Sequence, residues 1–157
     1  MKAIYAGSFD PLTLGHLDII QRASKIFAEV LVLISENNDK SGHIPVEDRV
    51  ALINEATKDL PNIKVGVHSG LVVEYAKANS YDCLLRGMRA ASDFEGELEL
   101  SQINHALSDG LETIFLMTNP GYSFMRASRV WELLKYSDDL SLLVPENVAL
   151  YINTKYR

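Results

Sequence analysis

The stretch AGSFDPLTLGH, residues 6–16, closes an apolar run and turns through Gly7, Pro11 and Gly15 before a helical pattern begins. The preceding segment, KAIYAGSF (2–9), is apolar and reads as a buried strand. Glycine directly after a strand permits close approach of a ligand to the backbone. Ser8 adds a hydroxyl and an N–H at the strand tip, and Asp10-Pro11 forms a turn. A helix is expected from near Leu17, which puts His16 in its first turn. The free N–H groups and positive dipole end of such a helix form an anion site, so an imidazole there stands beside a bound phosphate. Neither the G-x-x-x-x-G-K-[ST] loop nor the G-x-G-x-x-G fingerprint is present.

Four further apolar runs follow the first: EVLVLISE (29–36), NIKVGVHS (62–69), YDCLLRG (81–87) and LETIFLMTN (111–119). Helical patterns separate and follow them, at 17–27, 45–60, 70–80, 92–110, 128–137 and 145–156. In the first, Leu17, Ile20, Ala23 and Phe27 share a face. Pro45 opens the second, while Ser92 and Glu95 stand at capping-box spacing before the fourth. Strands that read as continuous apolar runs, alternating with helices, predict an α/β fold. The expectation is a Rossmann-like, doubly wound, five-stranded parallel sheet with helices on both faces, forming a single domain over 1–157. Ligands of such sheets bind beyond the carboxyl ends of the strands, where strand order reverses. The informative segments are therefore Gly7 to His16, Ser35 to Pro45, Ser69 to Leu71, Arg86 to Arg89 and Thr118 to Ser128.

The net charge of −6, with 15 Lys and Arg against 21 Asp and Glu, argues against nucleic acid as a partner, as does the absence of a basic run. Anions must instead be held by a few placed cations. No apolar run approaches the roughly 18 residues needed to span a membrane, and the N-terminus is too short in apolar length for a signal peptide. The single cysteine, Cys83, lies in an apolar run and reads as core; with no possible internal disulfide, a cytoplasmic location is expected. His43, His68 and His105 have no metal-ligand spacing and read as surface or structural.

GSFDPLTLGH resembles the [ST]-F-D-P…[TH]-x-G-H signature of the nucleotidyltransferase superfamily. Together with EDRVALI, LLRGMRAASDFEGELEL and PENV, the chain is similar over nearly its whole length to the bacterial phosphopantetheine adenylyltransferases. The T-x-G-H element marks only the superfamily, whereas the RGMR block followed by DFE is much more specific to this family. The resemblance implies adenylyl transfer from ATP to 4′-phosphopantetheine, giving dephospho-coenzyme A and pyrophosphate. It further implies Mg²⁺ accompanying ATP, a homohexamer, and inhibition by coenzyme A.

By the same resemblance, His16 contacts the α-phosphate of ATP as the transition state forms. Ser8 binds acceptor phosphate and nucleotide, with Phe9 beside it. Lys40 bridges acceptor phosphate and ATP, and Arg86 reaches the acceptor phosphate. Gly87, Met88 and Arg89 line the ATP site, Glu97 lies near the ribose or base, and Leu71 and Val72 wall the pantetheine arm. The last ATP-binding segment runs from Tyr122 through Ser123, Phe124, Met125, Arg126 and Ala127 to Ser128. There the family carries Ser-Phe-Ile-Ser-Ser-Ser or a similar run. Ser128 aligns with its final serine, while Arg126 and Ala127 replace two hydroxyls. Gly96 and Leu14 also depart from the family's usual residues.

Such a reaction needs cations and N–H donors around two polyanions rather than a Ser-His-Asp triad, because the attacking phosphate is already an anion. Two other readings compete with this one. A related transferase would use a different phosphate acceptor, and a catalytically silent nucleotide- or coenzyme A-binding module would bind without releasing pyrophosphate.

Overall fold

The structure, a computed structural model, describes residues 1–36 and 42–157. Five parallel strands form one sheet: β1 (Lys2–Gly7), β2 (Glu29–Ser35), β3 (Ile63–His68), β4 (Cys83–Met88) and β5 (Glu112–Met117). Their order is β3-β2-β1-β4-β5. The chain winds outward from β1 to one edge, then crosses back so that β4 pairs with the other side of β1. In register, Tyr5 stands opposite both Val32 and Leu85. The order therefore reverses between β1 and β4, where a crevice must open at the strands' carboxyl ends.

Six helices cover the sheet: α1 (Leu14–Ile26), α2 (Val46–Ala56), α3 (Val72–Ala78), α4 (Phe94–Leu107), α5 (Ala127–Leu134) and α6 (Glu146–Lys155). The period-2 alternation of β1 divides its side chains between two cores. Ala3 and Tyr5 face Ile19, Ile20 and Ala23 of α1, with Ile53, Val130, Val148 and Ile152 from α2, α5 and α6. Ile4 faces the other way, onto Leu31, Leu33, Leu84 and the α3 residues Val73 and Ala76. Central strands are buried on both faces, which is why they read as unbroken apolar runs. The edge strands β3 and β5 are only partly covered. Cys83 is fully buried in the central core.

Three local details differ from the sequence reading. Helix α1 begins at Leu14 rather than near Leu17, because Thr13 caps it: the Thr13 hydroxyl accepts the His16 N–H at 3.2 Å. The buried face of α1 is Ile19, Ile20 and Ala23, with Leu17 only partly covered. Ser92 does not cap α4; it lies in a short 3₁₀ turn (Ala91–Asp93), and α4 starts at Phe94 without a side-chain cap. The local carboxylate, Asp93, accepts the Arg89 backbone N–H instead. Among the described residues, no helix is long and apolar enough to cross a membrane.

Candidate active site

The crevice at the strand-order reversal holds a cavity of about 340 Å³. One wall is the β1–α1 corner. His16 occupies the third position of α1, and its Nδ1 accepts the Thr13 backbone N–H at 3.1 Å. An amide can only donate, so Nδ1 carries the lone pair and the neutral ring carries its proton on Nε2. That leaves an N–H donor on the ring edge away from Thr13, in the cavity His16 lines. Phe9 and Tyr5 pack edge-on against the imidazole, at 5.1 and 6.4 Å between ring centres. Desolvation, then the Arg89 and Arg86 charges, lowers the His16 pKa to about 4. At neutral pH this residue is an uncharged donor.

The corner is held from below by Arg49, which the sequence reading did not single out, and by the Asp10 side chain. Arg49 of α2, buried, donates to the Ser8 carbonyl at 2.8 Å and to the Ile44 carbonyl at 2.9 Å. The Asp10 carboxylate accepts the His43 and Ile44 backbone N–H groups at 2.7 and 2.9 Å. These bonds tie the first corner to the head of α2. Phe9, in the left-handed region at φ 47°, turns its ring into the core, where it is 2% exposed. A side chain on Gly7 would meet that ring at 3.3 Å. Gly7 also lines the cavity, and the close approach it allows includes the Phe9 ring.

The opposite wall comes from β4. Arg86 forms a fork with Glu97 of α4, Nε to Oε2 and Nη2 to Oε1 each at 2.8 Å, and Nη1 donates to the Ala6 carbonyl at 3.1 Å. Three of the five guanidinium N–H groups are thereby used, leaving two for a ligand. The hydrogen bonds to Glu97 raise the Arg86 pKa further. Arg89 donates to the Met125 carbonyl at 3.2 Å and lies 3.4 Å from Asp93. The third side is the start of α5, where Arg126, Ala127 and Ser128 line the cavity. Among the described residues lining the cavity, three arginines thus accompany one carboxylate, and that carboxylate is already paired.

The cavity brings together Ser8, Phe9, His16, Arg86, Gly87, Arg89, Glu97, Met125, Arg126, Ala127 and Ser128. Ser123 lines an adjoining recess, which shares Arg89 and Thr118 with the cavity and includes Arg22 and Asn119. Other expected residues stand elsewhere. Met88 is buried beneath the site, and Tyr122 packs on the core. Phe124 is exposed in a separate groove with Leu133 and Tyr136. Leu71 and Val72 begin α3 beyond edge strand β3, where Leu71 is exposed and Val72 packs on the second core. Lys40 lies outside the described residues. Gly7, Thr13 and Gly15 of the quoted corner line the cavity as well, together with Tyr5, Ala6 and Thr118, to which the sequence reading gave no role. For Thr13 the signal was present: a Thr three residues before a side chain able to bond back to it.

A family model described as cytidylyltransferase-like matches residues 4–133, from within β1 through β5 and most of α5. The chain belongs to that nucleotidyltransferase family. Two solved structures share the fold at low identity. A Vibrio parahaemolyticus protein assigned as a nicotinate-nucleotide adenylyltransferase aligns with TM-score 0.67 at 16% identity, covering 96% of this chain and 97% of that one. The lipopolysaccharide core biosynthesis protein of Thermoplasma volcanium GSS1 aligns with TM-score 0.56 at 21% identity, over 76% of this chain and 98% of its own. Membership in the cytidylyltransferase-like family makes this chain a nucleotidyltransferase, and the arginine-lined crevice beside His16 suits the polyanions such an enzyme handles.

Proposed function

We propose that this nucleotidyltransferase carries an adenylyl group from ATP to 4′-phosphopantetheine, giving dephospho-coenzyme A and pyrophosphate. The observation that carries the chemistry is the neutral His16, whose Nδ1 accepts the Thr13 N–H and whose ring lines the cavity together with Arg86 and Arg89. The acceptor is the one implied by the resemblance of the RGMR and DFE blocks, and a cavity lined by Arg86 and Arg89 of the first block, with Glu97 from just after the second, supports it. An oxygen of the acceptor phosphate attacks the α-phosphorus in line. The bond from that phosphorus to the bridging oxygen breaks, and pyrophosphate leaves with the electron pair. His16 donates to the non-bridging α-oxygen as its charge rises. Arg86 holds the acceptor phosphate with its two remaining donors, and Arg89 and Arg126 hold the leaving phosphates.

Mg²⁺ would neutralise charge on the β- and γ-phosphates. Among the described residues, Glu97 is the carboxylate that lines the cavity, and both its oxygens are on Arg86. No metal-ligand cluster occurs among the described residues. This donor set suits a Mg²⁺ that arrives on the nucleotide and keeps its waters, rather than one caged by protein. The reading extends to a cytoplasmic homohexamer that responds to coenzyme A. The apolar side chains that α4 leaves exposed, among them Phe94, Ile103 and Leu107, support an assembly.

Pyrophosphate release from ATP–Mg²⁺, measured with and without 4′-phosphopantetheine, tests the proposal. Release that requires this acceptor supports it. Release with a mononucleotide or glycerol phosphate instead would assign a related transferase. The replacement of two hydroxyls by Arg126 and Ala127 favours a second reading, a silent binding module. That module would bind ATP and release no pyrophosphate with any acceptor.

A further inference from the structure

Two hydroxyls on the floor of the cavity have no task in the chemistry above. Tyr5, near the end of β1, is 6% exposed, and Thr118, just past the end of β5, is 8% exposed. Both residues line the cavity. Among the described residues neither hydroxyl has a hydrogen-bond partner, and neither is sealed from solvent, as the unpartnered His68 Nε2, Thr113 Oγ1 and Asn153 Oδ1 are. The little exposure they keep therefore opens on the cavity and, for Thr118, on the recess beside it.

The two residues flank Gly87 and Met88 at the end of β4. A Cβ on Gly87 would lie 3.6 Å from the Tyr5 hydroxyl oxygen and 3.2 Å from Ile19 of α1. On the other side, the Thr118 N–H donates to the Met88 carbonyl at 2.7 Å. The Tyr5 ring is fixed by Phe9, edge-on with ring centres 5.4 Å apart, and by its place in the central core, so the position of its oxygen is set by packing. Burial pushes the phenol pKa up, against the Arg86 and Arg89 charges, and keeps the group protonated at neutral pH. Each hydroxyl can both donate and accept.

A polar group buried without a partner costs free energy, so two of them on one cavity floor are groups left for a ligand. The cations of the cavity stand on its walls, at Arg86, Arg89 and Arg126, whereas the floor of Tyr5, Phe9, Gly87, Thr118 and Met125 carries no charge. A phosphate lowered onto that floor would exchange water for two neutral hydroxyls and apolar rings, at a high desolvation cost. A nucleoside is uncharged, buries the faces of its base, and offers donors and acceptors along the edges of base and ribose.

We propose that the Tyr5 and Thr118 hydroxyls bind the nucleoside end of the nucleotide, hydrogen-bonding its base or ribose while the arginines take the phosphates. The assignment rests on the reading of the cavity as a nucleotide site and adds the groups that recognise the uncharged part of that ligand. It does not depend on the acceptor or on turnover.

Tyr5→Phe and Thr118→Val each remove one hydroxyl and keep the shape of the side chain. The Tm of each unliganded variant is expected to be no lower than that of the native protein, because no bond within the protein is lost. Calorimetry with ATP, adenosine and inorganic tripolyphosphate then separates the two ends of the ligand. ATP and adenosine are each expected to bind either variant about two- to tenfold more weakly, the worth of one neutral hydrogen bond, with tripolyphosphate affinity unchanged. Unchanged ATP affinity overturns the role of the hydroxyl removed and leaves the nucleotide reading standing. A loss shared by tripolyphosphate, or one seen with ATP and not with adenosine, would put the hydroxyls on the phosphates and overturn the proposal. A lowered Tm without ligand would show a structural bond and overturn it as well. Failure of the native protein to bind ATP would overturn the nucleotide reading and this assignment together.

Discussion

On the β1–α1 side of the cavity almost every polar group is bonded within the protein, whereas on the β5–α5 side the cations face solvent. Thr13 and His16 bond each other reciprocally, Asp10 accepts two backbone N–H groups, and Arg49 holds the Ser8 carbonyl. Across the cavity, Arg126 and Ser128 are exposed, and Arg126 has no side-chain hydrogen bond or ion pair among the described residues. The difference follows from what each side must do. A donor aimed at developing charge is effective only if it needs no reorganisation at the moment of reaction. A side that grips and releases a flexible polyphosphate works with exposed cations, and there one cation can replace hydroxyls without disturbing the core.

The largest test of this contrast is His16→Ala. Removing a preorganised donor is expected to cost about 2.7–4 kcal/mol of transition-state stabilisation, or roughly 10²–10³ in turnover. Nucleotide affinity, measured by calorimetry, should scarcely change. Near-normal turnover would break the assignment of the corner.

The same histidine links the corner to pH. In the folded protein it takes up its proton near pH 4, against 6.5 for an ordinary histidine. Between those values the unfolded chain binds more protons, so stability rises with pH across the window. The His16 contribution is full above about pH 6.5 and is lost as pH falls to about 4, a change on the order of 3 kcal/mol. Denaturant titrations at several pH values should show this slope in the native protein and a flatter one in His16→Ala. Equal slopes would mean that the ring is not held neutral by burial.

On the exposed side a smaller effect is expected. Arg126→Ala should raise the KM for ATP about tenfold, the value of a single charge-assisted hydrogen bond, with kcat and the acceptor KM little altered. A large fall in kcat would place Arg126 with the corner and erase the distinction between the two sides. The smallest effect lies beside the site, on α4. A Cβ at Gly96 would meet nothing within 4 Å. Gly96→Ala should therefore stabilise the fold by about 0.5–1 kcal/mol without changing KM, as thermal melting and steady-state kinetics would show. A raised KM would mean that nucleotide occupies the open space at Gly96.

Local chemistry explains what was legible from the chain alone. Apolar runs separated by helical periodicity determined a parallel, doubly covered sheet, because strands buried on both faces exclude polar side chains. Turn residues and glycines after those strands marked the carboxyl edge, and hence Ser8, His16, Arg86 and Arg89, as the candidate site. What depended on distant partners was hidden. The resemblance puts Glu97 near the ribose or base, but its bond to Arg86, 2.8 Å away and eleven residues earlier in the chain, appears only in the fold. The sequence placed Gly7 at the site, whose cavity it lines, but not the Phe9 ring that packs over it from a backbone at φ 47°. The long reach of Arg49 to the Ser8 carbonyl, and of Trp131 to Asp10 across 121 positions, has no sequence signature. The tautomer and low pKa of His16 were likewise decided in three dimensions. Sequence fixes which groups exist and which local bonds they can make, while desolvation and neighbouring charge arise only once the chain is packed.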